Sequence, residues 1–174
     1  MESDRSPFRL CLAEQPAGWR GDRDPCFGVW RQEDINDFAQ SIGQPTPNVV
    51  DVQIDGGNNP GTDDQGDMEM ALDIQLAAAS YCYATGGPAT IRIYWAPNLV
   101  KGIQTAVKDG CDVCSISWGA SESKWSQSAA QAVEVAVKEA TDSGMVVLAA
   151  SGDNDSSDDA PGNANVDLPS LITG

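Results

Sequence analysis

The fold is decided by residues 144–152, which consist of Gly-Met-Val-Val-Leu-Ala-Ala-Ser-Gly. An unbroken apolar run between two glycines is typical of a strand that is buried on both faces, as in a parallel sheet. Strand and helix patterns alternate along the chain on the N-terminal side of this run. The alternation predicts an α/β fold in which helices flank a parallel sheet.

Other elements of this fold follow from the periodicity of the apolar residues. We expect strands over residues 8–13, 49–54, 89–95, 112–117 and 145–150, and helices over residues 32–42, 67–81, 99–108 and 126–143. Residues 166–174 resemble the start of one more strand, which leads us to expect a truncated chain. The length of 174 residues, of which 41% are apolar, fits a single domain over residues 1–174.

The chain is strongly acidic, because 26 acidic residues outnumber 10 basic ones and no histidine is present. A formal charge of -16 argues against nucleic acid or an anionic membrane as a partner, since both are negatively charged. No apolar run reaches the roughly 18 residues that a membrane-spanning helix needs. The acidic surface fits solubility at neutral pH as well as tolerance of an acid medium, and composition leaves both open.

The N-terminus and the cysteines give little information on the compartment. Acidic residues near Met1 and the lack of a following apolar core mean that no secretory signal peptide is visible. The five cysteines are an odd number and cannot all pair within the chain. Cys111 and Cys114 have the spacing of a zinc or thiol-redox pair. Without a second pair or a histidine, burial in a strand is the favoured interpretation, and we expect no metal.

Two acidic residues, Glu69 and Asp73, lie four positions apart in a predicted helix. One helical turn places them on the same face, about 5–6 Å apart at Cβ, where their charges repel. In a partly buried site this repulsion raises one pKa, and the pair can share a proton. Because the chain has no histidine, acid–base chemistry would fall to carboxylates. The alternative is that Glu69 favours the helix N-terminus and that Asp73 is a solvated surface acid.

Further candidates follow the predicted strands, because ligands of open α/β sheets bind beyond the carboxyl ends of the strands. Ser117, Trp118 and Gly119 follow one strand, and Asp153 follows the next. The alternatives are that Trp118 belongs to the core and that Asp153 is a turn residue of an acidic loop or part of a loose cation site.

Four segments occur in the order and at the spacings of a known family. They are Glu-Met-Ala-Leu-Asp-Ile-Gln (69–75), Ser-Ile-Ser-Trp-Gly (115–119), Val-Leu-Ala-Ala-Ser-Gly-Asp (147–153) and Val-Asp-Leu-Pro (166–169). With this combination the chain resembles the sedolisins, or serine-carboxyl peptidases, from about Gln32 to Gly174. The resemblance implies a subtilisin-like fold and a peptidase active at acid pH. Its serine nucleophile would be served by a glutamate base in place of histidine.

The resemblance also implies roles for three carboxylates. Glu69 matches the general base that takes the proton of the serine, Asp73 the acid that orients and tunes it, and Asp153 the aspartate of the oxyanion hole. A glutamate is poised as a base near pH 4, and a protonated aspartate can donate a hydrogen bond to an oxyanion. The chain departs from the family after Asp153, because Asn154 stands where a serine is usual.

Ser117, Trp118 and Gly119 resemble the segment on which such peptidases bind the substrate backbone as an added strand. The resemblance implies that Gly119 permits close approach and that Trp118 shields the acid pair from water. Glu14 matches a family glutamate that extends the chain of carboxylates, although an insert after it blurs the alignment.

Two parts of the family's apparatus have no counterpart in these 174 residues. The nucleophile of the family lies in a Gly-Thr-Ser segment far downstream, and its calcium site would lie beyond Gly174, so we expect no cofactor here. The resemblance therefore implies the N-terminal part of a peptidase domain that is inactive alone. Its partners would be a peptide or protein substrate and the missing C-terminal half, in a secreted or acidic location.

Two other interpretations stay open at this point. The first is a peptidase-derived module without catalysis, which binds peptides or other proteins. The second is an unrelated acidic α/β binding domain.

Overall fold

The computed structural model describes residues 9–13, 29–55, 64–157 and 164–172. The strands are β1 (Arg9–Ala13), β2 (Asn48–Gln53), β3 (Thr90–Trp95), β4 (Val113–Ile116), β5 (Ala120–Ser121), β6 (Val146–Ala149) and β7 (Asp167–Leu168). The α-helices are α1 (Gln32–Ser41), α2 (Asp64–Thr85), α3 (Leu99–Lys108) and α4 (Gln127–Asp142). Two short 3-10 turns, Glu122–Lys124 and Asp155–Ser157, complete the described elements.

Five of the strands form one parallel sheet in the order β2-β3-β1-β4-β6. Because neighbouring parallel strands run in the same direction, each return of the chain needs a crossover, and the helices supply it. The predicted α/β fold, a parallel sheet flanked by helices, is therefore confirmed. The two short strands β5 and β7 pair antiparallel outside this sheet.

Apolar side chains on the two faces of the sheet pack against different helices. On one face, Ile91 and Ile93 of β3 pack with Met70 and Ile74 of α2. The opposite face contributes to a larger cluster, in which Ile116 packs with residues of α3 and α4. Alternation along the strands thus gives each face its own helical cover.

Capping residues set the start of two helices. Asn98 accepts a hydrogen bond from the Lys101 amide at 2.9 Å and begins α3, whose predicted bounds are confirmed. Ser126 accepts from the Ala129 amide at 3.2 Å and begins α4. Such side chains satisfy amides that the first turn of a helix leaves without a partner.

The start of α2 differs from the prediction. The helix begins at Asp64 and continues to Thr85, whereas the sequence predicts residues 67–81 with Asp67 as the cap. Asp67 lies within the helix, and its carboxylate accepts a hydrogen bond from the Val29 amide at 2.7 Å and lies 3.6 Å from the Arg31 guanidinium. Asp67 thus binds the distant residues Val29 and Arg31 instead of capping its own helix.

The prediction that residues 145–150 form a strand buried on both faces is half wrong. Val147 and Ala149 pack against the core, but Val146 is 52% exposed and Leu148 54% exposed. Val146 and Leu148 are exposed because β6 is the last strand in the sheet order. Helix α2 packs on β3 rather than on β6. Within the described residues, β6 has a strand on one side only.

Residues 166–174 contain a strand, as predicted. This strand, β7, does not join the parallel sheet but pairs antiparallel with β5, with Leu168 opposite Ala120.

The cysteine pair lies in the core. Cys114 is fully buried in β4, and Cys111 is buried beside the Tyr94 hydroxyl at 3.3 Å. Burial raises the pKa of the Cys111 thiol, which suits a packed thiol rather than a reactive one. The helices of the described residues include none with the length and hydropathy needed to cross a bilayer.

Candidate active site

The candidate site lies at the edge of the sheet where the parallel strands end. Ile116, the last residue of β4, pairs with Ala149, the last residue of β6. Ser117 and Asp153, which follow these residues, therefore emerge at the same edge. Helix α2 begins after β2 and brings its first turns to this edge as well. This is the place where open α/β sheets collect their functional side chains.

The phase of α2 sets the environment of its two acids. Met70, Ile74 and Ala78 recur every four residues and form the buried stripe of the helix. Glu69 and Asp73 lie one position before members of this stripe and are half-buried. Both acids are thus held at the boundary between the core and the open edge of the sheet.

A short hydrogen bond joins α2 to the segment after β4. The Ser117 hydroxyl donates to Oδ2 of Asp73 at 2.5 Å. Both residues are half-buried, so little water competes for this bond. The sequence predicts a main-chain role for Ser117, and nothing in the residue pattern indicates this side-chain contact.

The electrostatics of the site favour protonation of Glu69. Burial raises the pKa of its carboxyl, and the negative charges of Asp73 and then Asp153 raise it further. Burial also raises the pKa of Asp73, while the hydrogen bond from Ser117 works in the opposite direction. The acid after β6 emerges at the same edge of the sheet as the acid pair on α2, and its charge acts on Glu69.

Asp153 is exposed on a turn after β6. The turn depends on Gly152, whose φ of 88° lies in the left-handed region that other residues rarely adopt. The structure therefore brings together the three acids that the sequence analysis selects, Glu69, Asp73 and Asp153.

The segment from Ser117 to Gly119 leaves the sheet at this edge and leads into β5. Trp118 is half-buried there. A Cβ atom at Gly119 would clash with the Asp167 carboxylate and would lie 2.8 Å from the Leu168 carbonyl oxygen. The close approach at Gly119 is thus made by β7. The sequence pattern gives no sign of this contact between Gly119 and β7. Substrate binding along this segment stays a prediction.

A carboxylate on β2 joins two tryptophan indoles beneath α2. Asp51 of β2 accepts hydrogen bonds from the indoles of Trp95 at 2.8 Å and Trp30 at 3.1 Å, and both indoles pack in the cluster beneath α2. The sequence offers no local signal for this contact between distant residues. Glu14 lies outside the described residues.

A groove of about 560 Å³ extends from Asp73 along α2 toward β6. Its lining is mainly apolar and consists of Asp73, Leu76, Ala77, Ser80, Tyr81, Ala84, Thr85, Val113, Ser115 and Leu148. Among the described residues, no three histidine, cysteine or acidic side chains are grouped so that they could hold a metal ion.

Comparison with known proteins decides the family. A sequence profile of the subtilase family, Peptidase_S8, matches residues 47–174. The chain belongs to the subtilase family. Kumamolisin from Bacillus sp. (strain MN-32) is 37% identical to this subtilase over 152 residues. The matched segment is 82% of the chain and 27% of kumamolisin.

Two solved structures are similar in fold to this subtilase. Pseudomonas sedolisin, a serine-carboxyl proteinase complexed with two molecules of pseudo-iodotyrostatin, superposes with a TM-score of 0.70 at 19% identity. The match covers 97% of this chain and 48% of that sedolisin. The PatG macrocyclase in complex with peptide gives a TM-score of 0.50 at 13% identity over 96% of this chain and 56% of that one. Together with the profile and kumamolisin, the sedolisin match confirms the resemblance predicted from the sequence.

Proposed function

We propose that this subtilase supplies the carboxylate part of an acid-acting serine peptidase. In this proposal Glu69 is the general base, Asp73 orients and tunes it, and Asp153 stabilises the oxyanion. One observation carries the proposal: Glu69 is half-buried at the edge where the strands end, beside Asp73 and Asp153, so that burial and then these two charges raise its pKa. A raised pKa makes the ionised Glu69 carboxylate a stronger base for the serine proton.

The serine proton would pass to the Glu69 carboxylate as the serine oxygen attacks the peptide carbonyl. Glu69 would then return this proton to the leaving amine. The negative charge of Asp73 helps the first step, because it favours the neutral form that Glu69 takes on protonation. No imidazole is needed for either step, which agrees with a chain that contains no histidine.

Asp153 is suited to the oxyanion role only when it is protonated. A neutral carboxyl donates a hydrogen bond to the developing negative charge, whereas a carboxylate would repel it. The proposal therefore links both Glu69 and Asp153 to acid pH.

The substrate in this proposal is a peptide or protein. Its backbone would lie along residues 117–119, where the chain leaves the sheet beside the acid pair. A main chain at a strand end offers amides and carbonyls to an extended peptide. The likeness in fold to a macrocyclase solved in complex with peptide supports this choice of substrate class.

The nucleophile would come from another polypeptide segment, since these 174 residues contain no Gly-Thr-Ser sequence. The surface that would receive this segment consists of the groove at Asp73 and the exposed face of β6, where Leu148 is 54% exposed. A segment that extends the sheet beyond β6 and covers this groove would bring a serine to Glu69. In this proposal the 174 residues alone do not hydrolyse peptides, and the complete protein works in a secreted or acidic location.

A hybrid protein tests the proposed function. Residues 1–174 would replace the matched segment of kumamolisin, and peptide hydrolysis would be measured from pH 3 to 7, with residues 1–174 alone as the control. We expect hydrolysis by the hybrid that is fastest in the acid range, and none by the control. A folded hybrid that binds peptides without cleaving them at any pH would instead support a non-catalytic binding module.

A further inference from the structure

The contact between Ser117 and Asp73 carries an inference that rests on the proposed function and deepens it. Asp73 lies on α2 and Ser117 follows β4, so their hydrogen bond of 2.5 Å connects two elements that are 44 residues apart in sequence. A hydroxyl that donates to a half-buried carboxylate stabilises its charged form. The neighbouring Glu69 has a different environment, because its influences are burial and two negative charges.

We propose that Ser117 is a positioning residue whose hydroxyl holds the Asp73 carboxylate as a charged acceptor, so that Glu69 is the acid that takes the proton. Without the hydroxyl, only burial would act on Asp73, and burial favours its neutral form. A protonated Asp73 would no longer repel the negative charge of Glu69. The two acids are coupled, and the hydroxyl decides how a shared proton is distributed between them.

The surroundings of Asp73 contain few groups that could perform this task in place of Ser117. On α2 the nearby titratable groups are Glu69 and, farther along the groove, Tyr81. From β4 the groove receives Ser115, a second hydroxyl two positions before Ser117. No basic side chain lines the described part of the groove.

The surroundings of Glu69 give the sign of the coupling. Asp73 from its own helix and Asp153 from the turn after β6 both raise the pKa of Glu69. When Asp73 keeps its charge, Glu69 is therefore the easier acid to protonate. When Asp73 is neutral, that contribution disappears and the pKa of Glu69 falls.

Carboxyl titration by carbon-13 NMR tests this inference on the 174-residue chain, with no need for hydrolysis. We expect Ser117→Ala to raise the pKa of Asp73 and to lower that of Glu69. Opposite shifts are the sign of a redistributed proton, whereas a loosened site would move both pKa values together toward their ordinary values. Ser115→Ala is the matched control and should leave both values unchanged, and Ser117→Thr, which keeps the hydroxyl, should restore the wild-type order.

The wild-type chain provides a second measurement that does not depend on how the variants fold. The β-carbon resonance of Ser117 should shift with the same midpoint as the Asp73 carboxyl. A Ser117→Ala chain that titrates like the wild type, or a Ser117 resonance that ignores Asp73, would overturn the inference. A hybrid that fails to cleave peptides while these shifts are observed would count against the proposed function alone.

Discussion

At the scale of the residue, Glu69 and Asp73 depend on the phase of one helix. One position further along α2 lie the fully buried residues Met70 and Ile74, where an ionised carboxylate would be costly. One position earlier lies Met68, which is 68% exposed. The two acids occupy the positions between these extremes, where partial burial raises a pKa without excluding the charge.

Gly119 gives a prediction at this scale. The substitution Gly119→Ala should lower the free energy of unfolding by about 1–3 kcal/mol, because an added methyl group would overpack the contact with β7. Urea unfolding measures the effect, with Gly87→Ala as the control, since nothing lies within 4 Å of a Cβ at Gly87. Equal stability of the two variants would show that β7 does not pack on Gly119.

Much of the site could be predicted residue by residue, and the rest could not for a physical reason. The carboxylates at positions 69, 73 and 153 follow from helical spacing, strand ends and family motifs. The bond from Ser117 to Asp73 and the approach of Asp167 to Gly119 join distant segments. Such contacts depend on how elements pack, which the local pattern does not specify.

At the scale of the element, α2 carries three stripes with different environments. The buried stripe faces β3, the half-buried stripe holds the acid pair, and an exposed stripe includes Leu72 and Leu76. Leu76 of the exposed stripe and Leu148 of β6 line the same groove.

A pair of substitutions on α2 tests this orientation. Ile74→Ala should lower the free energy of unfolding by about 2–5 kcal/mol, because Ile74 is 0% exposed and its loss leaves a cavity. Leu76→Ala should change it by less than about 0.5 kcal/mol, because Leu76 is 54% exposed. Thermal or urea unfolding measures both, and similar losses from the two variants would contradict the orientation of the helix.

The bounds of the elements show where sequence patterns succeed. Helix α3 has its predicted bounds because a capping residue and an amphipathic pattern agree. Strand β6 exists where predicted, but its burial was overestimated, since an apolar run does not indicate whether a strand is central or at an edge. The run of apolar residues identifies the strand, and the sheet order determines which face is covered.

At the scale of the whole molecule, charge connects stability to pH. The raised pKa values of Glu69 and Asp73 mean that the folded chain binds protons more tightly than the unfolded chain. Their contribution to stability is present below the unfolded pKa values of about 4 and is lost as pH rises through the folded values. Asp55 acts in the opposite direction through Lys101, but this pair is exposed and contributes little.

The stability of the 174-residue chain against pH should show this sign. We expect the free energy of unfolding to fall between about pH 4 and pH 7, with a smaller fall in Asp73→Asn, which cannot ionise. Urea unfolding at several pH values measures the slope. A slope that is unchanged by Asp73→Asn would mean that this acid is not perturbed by folding.

The central claim is that Glu69 performs the task of the absent histidine, and one measurement tests it most directly. The hydrolysis rate of the hybrid with kumamolisin would be compared at acid pH between wild type, Glu69→Gln and the exposed control Glu122→Gln. The account predicts a loss of about 10²–10⁴-fold for Glu69→Gln, since the amide cannot accept the serine proton, and no loss for the control. A Glu69→Gln hybrid that cleaves peptides as fast as the wild type would contradict the account.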